Sequence, residues 1–511
     1  MTSNNRTTNV ARNTITTLIV EVLVLIVSFI NRSLFIAFLG NDYLGLDGLF
    51  GSILTAFSLA ELGIGSAILY GLYKPIAEND ISKARQFFSL YKKAYNIIAM
   101  SILMLGLMMI PFIKRIVKTD VSPLGINLYA VYFLFLANSV SSYVLAYRSA
   151  VLGVNQRGDI ISKCQLGIKV SVSFLECILL LAFKNYYLYL GVKIAGNYIQ
   201  AFIISYFAKK KYPELCRDTR DKLTKEEIRI VKRNVGALFV RRVGGVVLAA
   251  TDNIVINAYI SLSTVGIYSN YILIVSSIQT ISTKLIAAAT SSIGNYVASN
   301  EKEESRILFN TYTFITYLVF GFCSVCLYVM SNRFITLLWG EAFLFSKICV
   351  FLICLNFFLH GFNLCIEEFR STTGIFVQGK YQGFFSAIIN VVSSIILVKQ
   401  IGIEGVVLGT IISRVLVSTW LNPFIIFKYF FKSSASYYYF KFVLYLCISV
   451  VTALAYEYGL RFIPNTIIGF VLCGFICISS GLVLVLPFVR TREFAFIVSK
   501  IKQLLYHRRG I

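Results

Sequence analysis

The chain has 511 residues, 57% hydrophobic and 14% charged, with 48 Lys+Arg against 24 Asp+Glu and a formal charge of +24. Soluble domains carry about 25% charged residues, so this composition, with a mean hydropathy of +0.75, excludes an ordinary soluble fold. Apolar runs of roughly 20 residues recur throughout, each long enough to cross about 30 Å of hydrocarbon as a helix, whereas a membrane β-barrel would show short alternating segments.

In chain order these runs predict about 14 spans, at 14–39, 44–73, 87–113, 125–152, 161–183, 187–208, 234–259, 264–298, 307–330, 347–374, 381–398, 404–430, 438–460 and 464–488. The first run is too long for a cleavable leader and has no A-x-A-like site. With the N-terminus inside, Lys and Arg concentrate in inner loops and tails. The basic excess is therefore read as membrane topology, and no nucleic-acid partner is expected. The densest inner segment is "KKKYPELCRDTRDKLTKEEIRIVKR" at 209–233. The tail "KIKQLLYHRRG" is a second one, suited to anionic lipid.

This gives an expected plan: an N-terminal six-helix bundle (1–208), a basic cytoplasmic connector (209–233), a C-terminal six-helix bundle (234–431), two additional spans (432–488) and a basic cytoplasmic tail (489–511). The halves look like repeats offset by about 221 residues, a parallel repeat with its axis along the membrane normal. Arg12-Asn13 then falls on Arg233-Asn234, Gly45 on Gly266, and "ENDISKAR" on "SNEKEESR".

Charges inside the spans are the functional candidates, because an intramembrane ionisable group usually faces a bundle interior or a pathway. Glu21, Ser28 and Arg32 form a stripe on the first span. Glu61 and Gly65 share a face of the second, in "AELGIGS". Lys169, Ser173 and Glu176 line one face of the fifth, where Lys169 and Glu176 read as a structural ion pair. The seventh span carries "FVRRVGGVVLAATDNIVI", with Arg241 and Asp252 on one face three turns apart and Gly245 between them. Lys284 interrupts the eighth span, Glu367, Glu368 and Arg370 cluster in the tenth, and Arg414 interrupts the twelfth. Arg148, Lys193 and Glu457, near span ends, are expected to snorkel to the interface. Arg32, Arg241, Arg242 and Lys284 are taken as lining a cationic, water-filled chamber for an anionic ligand; arginine's planar fork suits phosphate oxygens. Glu61, Asp252 and Glu367 are the candidate ion-coupling groups.

The 11 cysteines lie mostly in apolar runs, where they pack, and two histidines make a zinc site improbable. The sequence has no P-loop motif and no D-x-D pair, and the longest expected outer loop, Ser331–Ser346, is short for a catalytic element. Neither an enzyme nor a cofactor is expected.

"YLGLDGLFGSILTAFSLAELGIGSAILYGLYKPIAENDISKARQFFSLYKKAY", "VGIYSNYILIVSSI", "SSIGNYVAS" and "FRSTTGIFVQGKYQGFFSAIINVVSSIILVKQIGIEGVVLGTIIS" are spread over most of residues 10–430. They resemble the polysaccharide transport branch, the O-antigen and capsule repeat-unit flippases, of the multidrug/oligosaccharidyl-lipid/polysaccharide exporter superfamily. The resemblance implies an all-α membrane protein of two six-helix bundles plus two C-terminal helices, forming a V-shaped alternating-access transporter. It implies translocation of undecaprenyl-diphosphate-linked oligosaccharides across a bacterial cytoplasmic membrane, with inner-membrane lipids and polysaccharide polymerase machinery as partners. Related lipid II flippases carry arginines on the first, second and eighth spans; here Arg32 and Lys284 stand on the first and eighth, and Asp47 and Glu61 on the second. Two rivals are a cation-coupled drug antiporter of the same superfamily, which would prefer an acidic, aromatic cavity, and a membrane-embedded polymerase.

Overall fold

The structure is a computed structural model. It describes residues 22–499 except 62, 118–120, 144, 156, 218, 220, 288–292, 295, 298–300, 374, 376, 377 and 380, and except the side chains at 59, 60, 77, 122, 237, 240–242 and 249. Among the described residues the chain is all helix and turn. Nine segments among the described residues are long and apolar enough to cross a membrane, and two shorter apolar helices accompany them.

Among the described residues, helix runs through each expected span. The first half holds α1 (Val22–Phe38), α2 (Asn41–Phe57), α3 (Ile64–Ala77), α4 (Ile81–Met109), α5 (Leu128–Ser141), α6 (Ala146–Val154), α7 (Gly158–Phe183) and α8 (Tyr186–Lys211). The second holds α9 (Lys225–Tyr259), α10 (Leu262–Ala287), α11 (Lys302–Trp339), α12 (Lys347–Thr373), α13 (Gln382–Ile401), α14 (Ile403–Phe431), α15 (Ser436–Leu460) and α16 (Ile467–Val485).

Two expected spans are broken. The second divides into α2 and α3 at a 3-10 turn, Ser58–Glu61, followed by Gly63 at φ +84°, a left-handed conformation that glycine adopts without steric cost. A Cβ on Gly63 would lie 2.5 Å from Leu238 Cβ, so close approach of α9 also demands glycine here. The fourth divides into α5 and α6 around Leu145, at φ +58°. The twelfth, α14, carries two π-helical turns, Arg414–Thr419 and Phe427–Phe431. In contrast α11 runs on to Trp339, through much of the expected 331–346 outer loop.

By packing, the chain forms two compact units, residues 1–266 and 267–511, with the sequence boundary inside α10. In the first unit α9 lies along α2: Asn253 Nδ2 donates to Ser52 Oγ (2.9 Å) and the Gly48 carbonyl (3.2 Å), and Asn257 Nδ2 to the Ile116 carbonyl (2.6 Å). The start of α2 crosses the start of α10, where Asn41 Nδ2 donates to the Ser263 carbonyl and hydroxyl, both at 2.7 Å. A Cβ on Gly45 would lie 2.2 Å from the Leu262 carbonyl oxygen, and one on Gly266 would lie 2.3 Å from Asn41 Oδ1. Under the 221-residue offset Gly45 and Gly266 are equivalent, and so are Asn41 and Leu262. Each glycine meets the repeat-mate of the other's partner, as expected at an isologous, two-fold contact.

The connector is not a free linker. Arg85 Nε donates to the Glu214 carbonyl (2.7 Å) and Arg148 Nη1 to the Cys216 carbonyl (3.1 Å), while Lys83 pairs with Glu227 at 2.6 Å. Leu215 and Leu223 are buried in the same core as α2 and α4. Thr224 and Glu227 form a capping box that starts α9 within the expected connector. Arg148 is therefore buried rather than snorkelling to an interface.

In the second unit the last two helices are joined to α11 by an aromatic stack. Tyr317 lies on Tyr445 (centroids 4.2 Å, 14°), Phe488 packs edge-on against both, and the Tyr317 hydroxyl donates to the Leu484 carbonyl at 3.1 Å. Buried Arg333 binds the end of α15: Nη2 donates to the Leu460 carbonyl (2.7 Å), and Nη1 to the Ile463 carbonyl (2.9 Å) and Asn465 Oδ1 (3.2 Å). A helix C-terminus leaves carbonyls without partners, and a cation placed there satisfies them. Arg370 does similar work after α12, donating to Asn422 Oδ1, Gln382 Oε1 and the Gln378 carbonyl.

Candidate functional site

Charged and polar side chains converge inside the first unit from α1, α2, α7 and α8. Asn31 Nδ2 on α1 donates to Glu176 Oε2 on α7, and both residues are buried. Lys193 Nζ on α8 lies 3.4 Å from Asp47 Oδ1 on α2. In place of the expected Lys169–Glu176 ion pair, Glu176 accepts from Asn31, and Lys169 is exposed. Lys193 faces this cluster instead of an interface.

Arg32 belongs to the same cluster, with Asp47 and Tyr189 the groups that act on its charge. Its Nη1 is buried and has no hydrogen-bond partner. A buried donor left unmade costs about 1–3 kcal/mol, more when charged, so this guanidinium is held short of its full bonding capacity. An aromatic wall stands beside it. Phe35 packs edge-on against Tyr189 (centroids 5.0 Å) and Tyr186 (5.9 Å), and Tyr43 packs edge-on against Tyr186 (5.0 Å). The local charge is mixed, with Asp47 and Glu176 accompanying Arg32 and Lys193.

A second polar cluster sits at the broken span. Glu61 Oε1 accepts from the Tyr95 hydroxyl at 2.8 Å, and Tyr95 stacks on Tyr91 (4.5 Å, 15°). Tyr143, at the α5–α6 break, also acts on this carboxylate. A third cluster lies in the second unit. His360 on α12 stands between Gln279 on α10 (Nε2 to Nε2, 3.0 Å) and Arg414 at the π-helical turn (Nη1 to Nδ1, 3.3 Å).

The remaining expected site residues fall as follows. Arg241 and Arg242 are helical in α9, but their side chains lie outside the described residues, as does Glu21 altogether. Asp252 on α9 and Lys284 on α10 are half-buried, and Glu367 is exposed. Tyr95, Tyr91 and Asn31 were not singled out in the sequence. They are distant from Glu61 and Glu176 along the chain and no local spacing marks them.

No protein-family model and no curated protein sequence matches this chain. Solved structures do. The lipid II flippase MurJ in an inward closed conformation is 14% identical, over 93% of this chain and 99% of its own, with a TM-score of 0.67. An inward-facing multidrug resistance MATE family transporter of the MOP superfamily is 14% identical, over 80% and 98%, with a TM-score of 0.59. The Vibrio cholerae MATE transporter VcmN is 12% identical, over 83% and 97%, with a TM-score of 0.53. The chain has the fold that these transporters share and is an integral membrane protein.

Proposed function

We propose that this protein is a flippase that moves undecaprenyl-diphosphate-linked oligosaccharide repeat units from the inner to the outer leaflet of a bacterial cytoplasmic membrane for surface polysaccharide assembly. The observation that carries this reading is the buried, unpartnered Nη1 of Arg32 within a polar cluster of a membrane-embedded helical unit. A phosphate oxygen is the acceptor that such a donor lacks. The resemblance of the quoted sequence blocks, and the fold shared with a lipid II flippase, support the same substrate class.

In this scheme Arg32, Arg241, Arg242 and Lys284 replace the water lost by the diphosphate. The sugars travel in an aqueous path while the polyprenyl tail stays in lipid. Helical units of residues 1–208 and 234–431 rock about the site, with both termini cytoplasmic. Two negative charges leaving a negative-inside cell would gain roughly 4–5 kcal/mol per 100 mV if not neutralised on the way, so ATP is not needed. Glu61, Asp252 and Glu367 are the groups through which a cation could couple, and polysaccharide polymerase machinery would take the product.

The test is genetic and chemical. Deleting the gene should make a lipid-linked oligosaccharide accumulate on the cytoplasmic side, and its sugars identify the substrate. Wild-type protein should clear it and Arg32→Ala should not. Accumulation of no lipid-linked sugar would refute the reading. The carboxylates Asp47 and Glu176 beside Arg32 favour one second reading, a cation-coupled drug antiporter, which predicts sensitivity to cationic dyes in the deletion strain.

A further inference from the structure

Four charges of the first unit lie at one depth. Arg32 is on α1, Asp47 on α2, Glu176 on α7 and Lys193 on α8, each about two turns inside its helix from the α1–α2 or the α7–α8 loop. They fall into a closed pair and an open one. Glu176 is buried and bonded to buried Asn31. Lys193 and Asp47 keep 36% and 27% of their side chains exposed, and Lys193 Nζ stands 3.4 Å from Asp47 Oδ1. A well-made ammonium–carboxylate hydrogen bond is about 2.7–2.9 Å long. An ammonium has three donors, so this slack contact leaves Lys193 able to bond another acceptor. In the same cluster Arg32 Nη1 and the Tyr186 hydroxyl are buried without a hydrogen-bond partner, and Asp47 acts on both residues. One carboxylate thus stands among three donor groups with bonds to spare.

The internal repeat marks Lys193 a second time. Under the 221-residue offset it falls on Arg414 of α14. The two helices also match in their contacts. Asn197 Nδ2 of α8 donates to Ser141 Oγ of α5 at 3.3 Å, and Asn363 Nδ2 of α12 donates to Thr419 Oγ1 of α14 at 3.5 Å, a pairing of the same positions 222 residues on. The extra residue fits the π-helical turn Arg414–Thr419, because a π-turn holds one residue more than an α-turn. Arg414 Nη1 meets His360 Nδ1 at 3.3 Å. A cation inside a span is costly, yet both repeats place one at this position, and each meets a polar side chain of its own unit.

We infer that Lys193 is a further substrate-binding residue: it holds one phosphate of the diphosphate whose other phosphate meets Arg32, and Asp47 is the carboxylate that the ligand displaces. This rests on the flippase reading above and deepens it, for it names the group that tells a diphosphate from a monophosphate. Asp47 returns to the two cations as the ligand leaves, which keeps the site from holding a dianion too tightly to release it.

The test compares two probes, undecaprenyl diphosphate and undecaprenyl monophosphate, by native mass spectrometry of the full-length protein. Wild type should prefer the diphosphate. Lys193→Met, which keeps the apolar stem, should lose about tenfold or more in affinity for the diphosphate and much less for the monophosphate, so that the preference collapses. Lys193→Arg should restore the preference. Asp47→Asn should bind the diphosphate more tightly by about threefold, the worth of a partly exposed ion pair. The ratio of the two affinities within one preparation does not depend on how much of the protein is folded, so a structural role for Lys193 would leave it unchanged. An unchanged ratio in Lys193→Met, no preference in wild type, or binding no tighter in Asp47→Asn would overturn the inference while leaving the flippase reading in place, provided that Arg32→Ala still weakens both lipids. Binding of neither lipid by wild type, or binding indifferent to Arg32, would overturn both.

Discussion

The crossing of α2 and α10 allows a prediction with its magnitude worked from distances. In Gly45→Ala the new methyl would stand 2.2 Å from the Leu262 carbonyl oxygen and 2.9 Å from Leu262 Cγ. Carbon–oxygen contacts settle near 3.3 Å, so the helices must part by about 1 Å. Overpacking of this kind costs about 1–3 kcal/mol, and loss of the two Asn41–Ser263 hydrogen bonds adds about 1–2 kcal/mol. Gly266→Ala should destabilise by a similar amount, because it meets the Asn41 carbonyl oxygen at 2.5 Å in the equivalent contact. Once one methyl has opened the crossing, the second has little left to displace. The double variant should therefore fall short of the sum by about 1.5 kcal/mol or more. Chemical unfolding in detergent micelles measures all three. Gly51→Ala is the control, since nothing lies within 4 Å of its new methyl. Additive effects at Gly45 and Gly266, or wild-type stability in either, would refute the reciprocal crossing.

Arg333→Met removes three hydrogen bonds and takes the donor from the Ile463 carbonyl, while the Leu460 carbonyl keeps the Ile463 N–H. It should destabilise the second unit by about 2–4 kcal/mol, with faster proteolysis of the α15–α16 loop; an unchanged cleavage rate would contradict this. At the connector, burial pushes the Glu227 carboxyl up, but Lys83 and Thr224 together outweigh it and hold it below its ordinary range. Its contribution is therefore fully present above the unfolded carboxyl value near pH 4.3 and is lost as pH falls through the lower folded value. Hydrogen exchange over residues 214–227 should quicken at that acid pH in wild type. Glu227→Gln should show the quickening already at neutral pH, by less than about tenfold for a partly exposed pair.

The positions of the helices were legible because hydropathy over a span-length window reports burial in lipid regardless of detail. The breaks were not. The run through Leu54, Leu59 and Ile64 is continuous in hydropathy, and Gly63 discloses its positive φ only against α9. The arginines divide along similar lines. Arg148, Arg333 and Arg370 look alike in sequence as charges near helix ends, but each binds backbone carbonyls that only the folded chain presents. Arg32 was visible as an intramembrane charge. Its carboxylate neighbours come from a helix far along the chain and from α2, so its mixed-charge setting could not be read from spacing. The repeat was faint in residue identity, yet its offset places Gly45 and Gly266 in reciprocal contacts.

The account depends most on Arg32 offering its unpartnered Nη1 to a phosphate. Native mass spectrometry with undecaprenyl diphosphate measures this directly on wild type, Arg32→Ala and Arg32→Lys. A charge-assisted hydrogen bond of about 1.5–3 kcal/mol corresponds to a roughly 10–150-fold loss of affinity in Arg32→Ala. Arg32→Lys should recover only part of this, because an ammonium lacks the planar fork. Wild-type affinity in Arg32→Ala, with the protein folded, would contradict the account.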